Sequence, residues 1–364
     1  MNAKNEITGM QLFFIIVQTQ IGVGILSMPT DIGKIAKQDA WISMMLAGIT
    51  VQIIVLLYMF LLSKFPEDTY YGMVNKCFGS IFGKLIMFAY IIYFLSVLVV
   101  SMTGFYQIIA SWIFFETPKW VILLLFAVPA VYMARENVVL LARFKMLISF
   151  LLPLLFVILS WVYFHPQFLY LLPVGGTGTQ AILEGIKPAI FALMGFEAYL
   201  FFGYYVKMNR KKELRKAAFA TAFVTSFYVF TIITTQVFFY IEELIIVPYP
   251  VLYIMKALEF TLLERIDLIF LTIWMIIALS SFISFLFLAA NTLEQFFSKG
   301  KHTLMVYISI VISYIAALLP TSISSMDKLT SILLSTSLVF TAAIPLITLL
   351  LSFIRKLPGK DIKS

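Results

Sequence analysis

The chain has 364 residues, 62% of them apolar and 12% charged, with 36 phenylalanines and a mean hydropathy of +1.01. Soluble domains carry roughly 25% charged residues and rarely expose so much apolar surface. A soluble enzyme, a disordered chain and a disulfide scaffold are therefore excluded, and a polytopic membrane protein is left.

Ten apolar runs approach the roughly 20 residues a bilayer-crossing helix needs. In chain order they are 9–32, 40–63, 81–113, 119–134, 144–164, 186–206, 217–241, 266–293, 303–319 and 329–354. The fourth is short and carries Pro129. Backbone groups in lipid need internal partners, so each run reads as a helix. The alternating ten-residue segments of a barrel do not occur. The first run lacks a basic flank and a small-x-small cleavage site, so it reads as a retained span.

The net charge of +8 reads as topology and contact with anionic headgroups, with no nucleic acid as partner, because the basic residues sit in short loops. With the N-terminus inside, the inner loops hold 19 of the 26 Lys and Arg and the outer loops hold 7. That asymmetry places both termini in the cytoplasm. The densest basic segment, 207–216, becomes an inner loop. The longest outer loop, 242–267, contains Pro248 and Pro250. Its apolar stretch 251–263 is too short to cross and is expected to lie as an interfacial helix. Gly175-Gly176-Thr177-Gly178 reads as a flexible outer loop.

Ten spans divide into five and five, and an odd number makes the second half enter from the opposite side. This is the arithmetic of a 5+5 inverted repeat. The expected fold class is an all-α integral membrane protein of about ten transmembrane helices. Residues 1–170 form the first repeat, 180–355 the second, and 356–364 a basic cytoplasmic tail. In such folds the first helix of each half is interrupted near the bilayer centre, freeing backbone groups for ligand or ion. Breaks are expected at matching places. The first span reads Gln18-Thr19-Gln20-Ile21-Gly22-Val23-Gly24-Ile25-Leu26-Ser27-Met28-Pro29. The sixth reads Phe191-Ala192-Leu193-Met194-Gly195-Phe196-Glu197. Glycines there favour either a break or close helix packing.

Glu197 is the one acid read as deep inside a span. An intramembrane carboxyl is a functional group by default. It could carry a proton, pair with a cation or fix the broken helix ends; a protonated packing contact is the plainer alternative. Lys145, near the inner end of the fifth span, is expected to snorkel; the sharper reading is a fixed cation standing where a sodium ion would bind. Ser280, Ser281 and Ser284 in the eighth span, and Ser96, Ser101 and Thr103 in the third, either bond their own helix or line a pathway. Cys77 is the single cysteine, and the two histidines, His165 and His302, lie in separate loops. No metal constellation, phosphate loop or catalytic triad is present, so neither an enzyme nor a cofactor is expected.

Gly22-x-Gly24-Ile25-Leu26-x-x-Pro29 resembles the first-helix motif of the amino acid–polyamine–organocation (APC) transporter superfamily, and Phe191 with Gly195-Phe196-Glu197 resembles its sixth-helix motif. Ten spans and a basic tail resemble one branch, the spore germination permeases, B subunits of nutrient germinant receptors. Leu263-Glu264-Arg265-Ile266-Asp267 followed by Trp274, and Asp39-Ala40-Trp41-Ile42, are similar to that branch at the starts of the eighth and second helices. The resemblance implies a LeuT/APC-like fold in the spore inner membrane. It implies partnership with a membrane-bound A subunit and a lipoprotein C subunit. It further implies a central pocket for a small nutrient, often an amino acid. Carried over, that pocket comprises Gly22, Val23, Gly24, Ile25, Phe191, Gly195, Phe196 and Glu197, with Ser101 and Ser281 facing it. A receptor subunit is the expected function; a secondary amino-acid transporter coupled to H⁺ or Na⁺ is the alternative.

Overall fold

The computed structural model describes residues 6–257, 265–297, 301–320 and 323–355, and among these every regular element is helical. The basic tail, the second part of the 251–263 stretch, and Leu263 and Glu264 lie outside the described residues. Span 1 consists of α1 (Gly9–Gln20) and α2 (Met28–Ala36), joined by a 3₁₀ turn at Val23–Leu26. Span 2 is α3 (Ala40–Lys64). After the short α4 (Tyr70–Phe78) come span 3, α5 (Ser80–Trp112), and span 4, α6 (Lys119–Ala134). Span 5 is α7 (Val138–Ile148) with α8 (Leu152–Ser160); span 6 is α9 (Thr179–Ala192) with α10 (Ala198–Phe202). Span 7 is α11 (Arg210–Phe238). Two short helices, α12 (Ile241–Leu244) and α13 (Pro250–Ala257), precede span 8, α14 (Ile266–Phe296). Span 9 is α15 (His302–Leu318). Span 10 is α16 (Ile323–Leu338) and α17 (Ile344–Ile354), joined by a π-helical turn, Val339–Ala343.

Among the described residues, six helical stretches are long and apolar enough to cross a bilayer, one of them running from Met28 to Lys64 through α2 and α3. Two more, α6 and α15, are shorter apolar helices. The remaining two spans are the interrupted ones, so the expected ten are accounted for. Span 5 starts at Val138, six residues before the apolar run, because Asn137 accepts from the Leu140 N–H and caps it. Thr8 likewise caps α1, in a reciprocal box with Gln11.

The spans sort into two packed groups. α1, α3, α9 and α11 pack on one another, with α2 against α9. α5, α6, α14 and α15 form the other. The groups meet where α1 and α10 lie against α14, and both broken helices run along that seam.

Two outer segments depart from the sequence expectation. The 175–178 loop is clamped: Asp39, fully buried, accepts from Gly175 N at 2.7 Å, Thr177 N at 3.1 Å and Thr177 Oγ1 at 2.6 Å. The alternate N–H groups of Gly175 and Thr177 bind the carboxylate, while those of Gly176 and Gly178 close turns onto the Pro173 and Gly175 carbonyls. The described part of 251–263, α13, does not lie free at an interface. Val251, Leu252, Ile254 and Met255 are buried against α11, α14 and the 3₁₀ turn of span 1. At the N-terminal end of α1, Ile7 N donates to the Tyr205 carbonyl at 3.1 Å and Gly9 N to Glu213 Oε2 at 2.7 Å.

Candidate functional site at the two broken helices

The helix of span 1 stops at Gln20 because Ile21 turns extended (φ −81°, ψ 96°) and Gly22 leaves the helical region (φ −132°, ψ −143°). In span 6, Gly195 takes φ +110°, a value L side chains rarely adopt. The two breaks touch. A Cβ on Gly195 would fall 2.7 Å from the Thr19 carbonyl carbon and oxygen. Gln20 spans the contact, donating from Nε2 to the Leu193 carbonyl at 2.9 Å.

The carbonyls freed at the end of α1 are satisfied by side chains. Ser281 Oγ donates to the Thr19 carbonyl at 2.6 Å and Tyr228 Oη to the Gln20 carbonyl at 2.8 Å. Thr19 Oγ1 lies 2.7 Å from Ser284 Oγ. Glu197, 1% exposed, accepts from Gly195 N at Oε2 (2.8 Å) and from Tyr93 Oη at Oε1 (3.0 Å). Its carboxyl thus ties the Gly195 turn of span 6 to α5.

The α2 side of the break is different. The 3₁₀ turn at Val23–Leu26 begins at the break without a side-chain cap. The turn is followed directly by the N-terminal end of α2. α9 ends at Ala192, and the Leu193 carbonyl just beyond it accepts from Gln20. A Cβ on Gly24 would meet nothing within 4 Å, so there is room beside it.

The structure therefore brings Gly22, Val23, Gly24 and Ile25 together with Gly195, Phe196 and Glu197. Ser281 closes on Gly22, where a Cβ would lie 2.9 Å from its Oγ. Val23 packs on α5, its Cγ1 3.0 Å from where a Cβ of Gly104 would be; half-buried Ser101 lies one turn earlier. Phe191 is half-buried in the last turn of α9. Phe196 stacks on Tyr58 (centroids 6.2 Å, 20°).

Lys145 does not snorkel. It is fully buried, and its Nζ donates to the Ser280 carbonyl across the seam. Gln18 joins the cluster, donating from Nε2 to Ser149 Oγ at 3.1 Å. Sequence reasoning missed Tyr58, Tyr93 and Tyr228. Their one signal was a tyrosine inside an apolar run, which usually finds a partner for its hydroxyl when buried.

A family profile described as "Spore germination protein" matches residues 6–326. The chain belongs to the spore permease family of spore germination proteins. Among its relatives, the spore germination protein YndE of Bacillus subtilis (strain 168) is 25% identical over 97% of this chain and 98% of its own length. GerQB of Bacillus cereus is 25% identical over 74% of each. Solved transporters share the fold. MhsT in complex with L-phenylalanine superposes with a TM-score of 0.71 at 16% identity, covering 95% of this chain and 89% of that one. A Na⁺-coupled sialic acid symporter superposes at 0.72 and 13% identity, covering 97% and 80%. This spore permease is thus a multi-pass membrane protein with a transporter fold, and its interrupted spans 1 and 6 are the broken first and sixth helices of the 5+5 architecture.

Proposed function

We propose that this chain is the membrane subunit of a nutrient receptor in the spore inner membrane, both termini cytoplasmic. It binds a small nutrient, an amino acid, between the two breaks. It then triggers germination together with a membrane-bound A subunit and a lipoprotein C subunit. The observation that carries this reading is the contact of the two breaks with room beside Gly24. The turn at 23–26 has no side-chain cap and α9 ends at Ala192, so one helix start and one helix end lie at the breaks. A zwitterion matches that pair, carboxylate to the N–H groups and ammonium to the carbonyls. Val23, Ile25, Phe191 and Phe196 supply apolar walls. Gly22 with Ser281, and Gly195 with Glu197, hold the two backbones in place, and Ser101 lies on the facing helix. Binding shifts the two packed groups only so far as the nutrient prefers one arrangement over the other.

The alternative, a secondary transporter coupled to H⁺ or Na⁺, draws support from Lys145, an amine buried in the seam between α7 and α14. Membership of a germination family favours the receptor.

The test is germination of spores lacking this chain against a panel of single amino acids and sugars, complemented with wild type or Gly24→Leu. The expected outcome is loss of response to one nutrient class, restored by wild type and at least tenfold less sensitive with Gly24→Leu. An unchanged response to every nutrient overturns the receptor reading, and uptake of radiolabelled amino acids into vesicles then tests the transporter.

A further inference from the structure

Span 10 contains a π-helical turn whose cause can be read from one residue. Within Val339–Ala343 the ladder has slipped, and the Ile344 N–H reaches back five residues to the Val339 carbonyl. The next donor in line belongs to residue 345, a proline, which has none. The carbonyl five residues before it, Phe340, and the carbonyl four before it, Thr341, both lose their helical donor. In a bilayer each would cost several kcal/mol if left bare.

Two tyrosines from other spans replace the missing donors. Tyr90 Oη of α5 donates to the Phe340 carbonyl at 2.6 Å, and Tyr58 Oη of α3 donates to the Thr341 carbonyl. Both are fully buried. The same tyrosine set touches the break in span 6. Tyr58 stacks on Phe196, the residue after Gly195. Tyr93, one turn beyond Tyr90, stacks on the Phe340 ring (4.7 Å, 18°) and donates to Glu197 Oε1. A void of about 70 Å³, lined by Ile54, Tyr58, Ala342 and Pro345, lies beside the turn.

We infer that span 10 is the output element of this protein: the state of the break at Gly195–Glu197 is carried by Tyr93 and Tyr58 to the π turn. A π turn is one residue out of step with an α-helix and can migrate along it. It is thus a two-state element that another site can bias. Glu197 and Phe196 act on it from one side, and the lipid-facing half of span 10 is displaced on the other. Tyr58, Tyr90 and Tyr93 are positioning residues. The coupling stands on the geometry alone; only the statement that a nutrient drives it rests on the receptor reading.

Amide hydrogen exchange of the full chain in lipid nanodiscs tests the coupling. Glu197→Gln and Tyr93→Phe are expected to speed exchange across 339–344 at least threefold, although neither residue is in span 10. Tyr58→Phe should do the same, and Pro345→Ala, which restores a donor, should slow it. In the Pro345→Ala background Tyr58→Phe should lose most of its effect, because Thr341 then has a helical partner. Unchanged exchange at 339–344 in the Glu197→Gln and Tyr93→Phe proteins overturns the proposal. So does a Tyr58→Phe effect of equal size with and without Pro345. These readouts need no nutrient. A wild type deaf to every amino acid therefore removes the receptor reading and leaves the coupling to be judged separately.

Discussion

Gly195 concentrates the constraints of the site on one residue. Its φ of +110° excludes an ordinary side chain, and its α-carbon rests on the Thr19–Gln20 peptide. Gly195→Ala is expected to cost about 1–3 kcal/mol through strain alone, with further cost from the clash. It should appear as a lower thermal unfolding midpoint in detergent, whereas Gly24→Ala, with nothing within 4 Å, should leave that midpoint unchanged. Lys145 makes the opposite case. Burying an amine against a carbonyl costs desolvation, so Lys145→Met should raise the unfolding midpoint while lowering the germination response. A fall in both would mean that the amine is structural. The glycines and Glu197 were legible in the sequence, because glycine pairs and acids are conspicuous in apolar runs. Lys145 was misread as snorkelling: periodicity cannot tell which face of α7 turns inward, and here that face meets Ser280.

At the scale of elements, the turn between spans 1 and 2 is locked to the segment just before span 6. Asp39 takes three hydrogen bonds from Gly175 and Thr177, each worth about 1.5–3 kcal/mol to a charged acceptor. α2, α3 and α9 also pack together, so they should move as one piece. Asp39→Ala is expected to speed proteolytic nicking and amide exchange at 173–178 by at least tenfold, without changing exchange in α14. Equal protection in the variant would show that helix packing, not the carboxylate, holds the loop. A Gly-Gly-Thr-Gly run looks flexible on its own. It became rigid only because folding places a carboxylate 136 positions away in sequence within reach of its N–H groups.

For the whole molecule, the basic asymmetry predicts 207–216 inside and 175–178 outside. Cys77 is buried, so it gives little background to a membrane-impermeant thiol reagent. Lys211→Cys is expected to label only after the bilayer is breached, and Val174→Cys in intact cells. The reverse pattern would invert the topology and exchange the inner and outer roles of the two halves of the site. The two packed groups of spans meet through hydrogen bonds, Ser281 to Thr19 and Thr19 to Ser284, and through stacked rings, Phe202 on Phe287.

The count of spans, their helical nature and the two break points follow from composition and local sequence. Lipid permits few backbone solutions, and glycine at matching positions in each half marks where the helix yields. The partners of the freed groups do not follow. Tyr228 on Gln20, Ser281 on Thr19, Tyr58 and Tyr90 on the carbonyls orphaned by Pro345, and Lys145 on Ser280 join residues from 135 to 283 positions apart. A tyrosine or serine in an apolar run carries the same local signal whatever it faces. Only the packing of the two groups of spans decides which carbonyl lies within its reach.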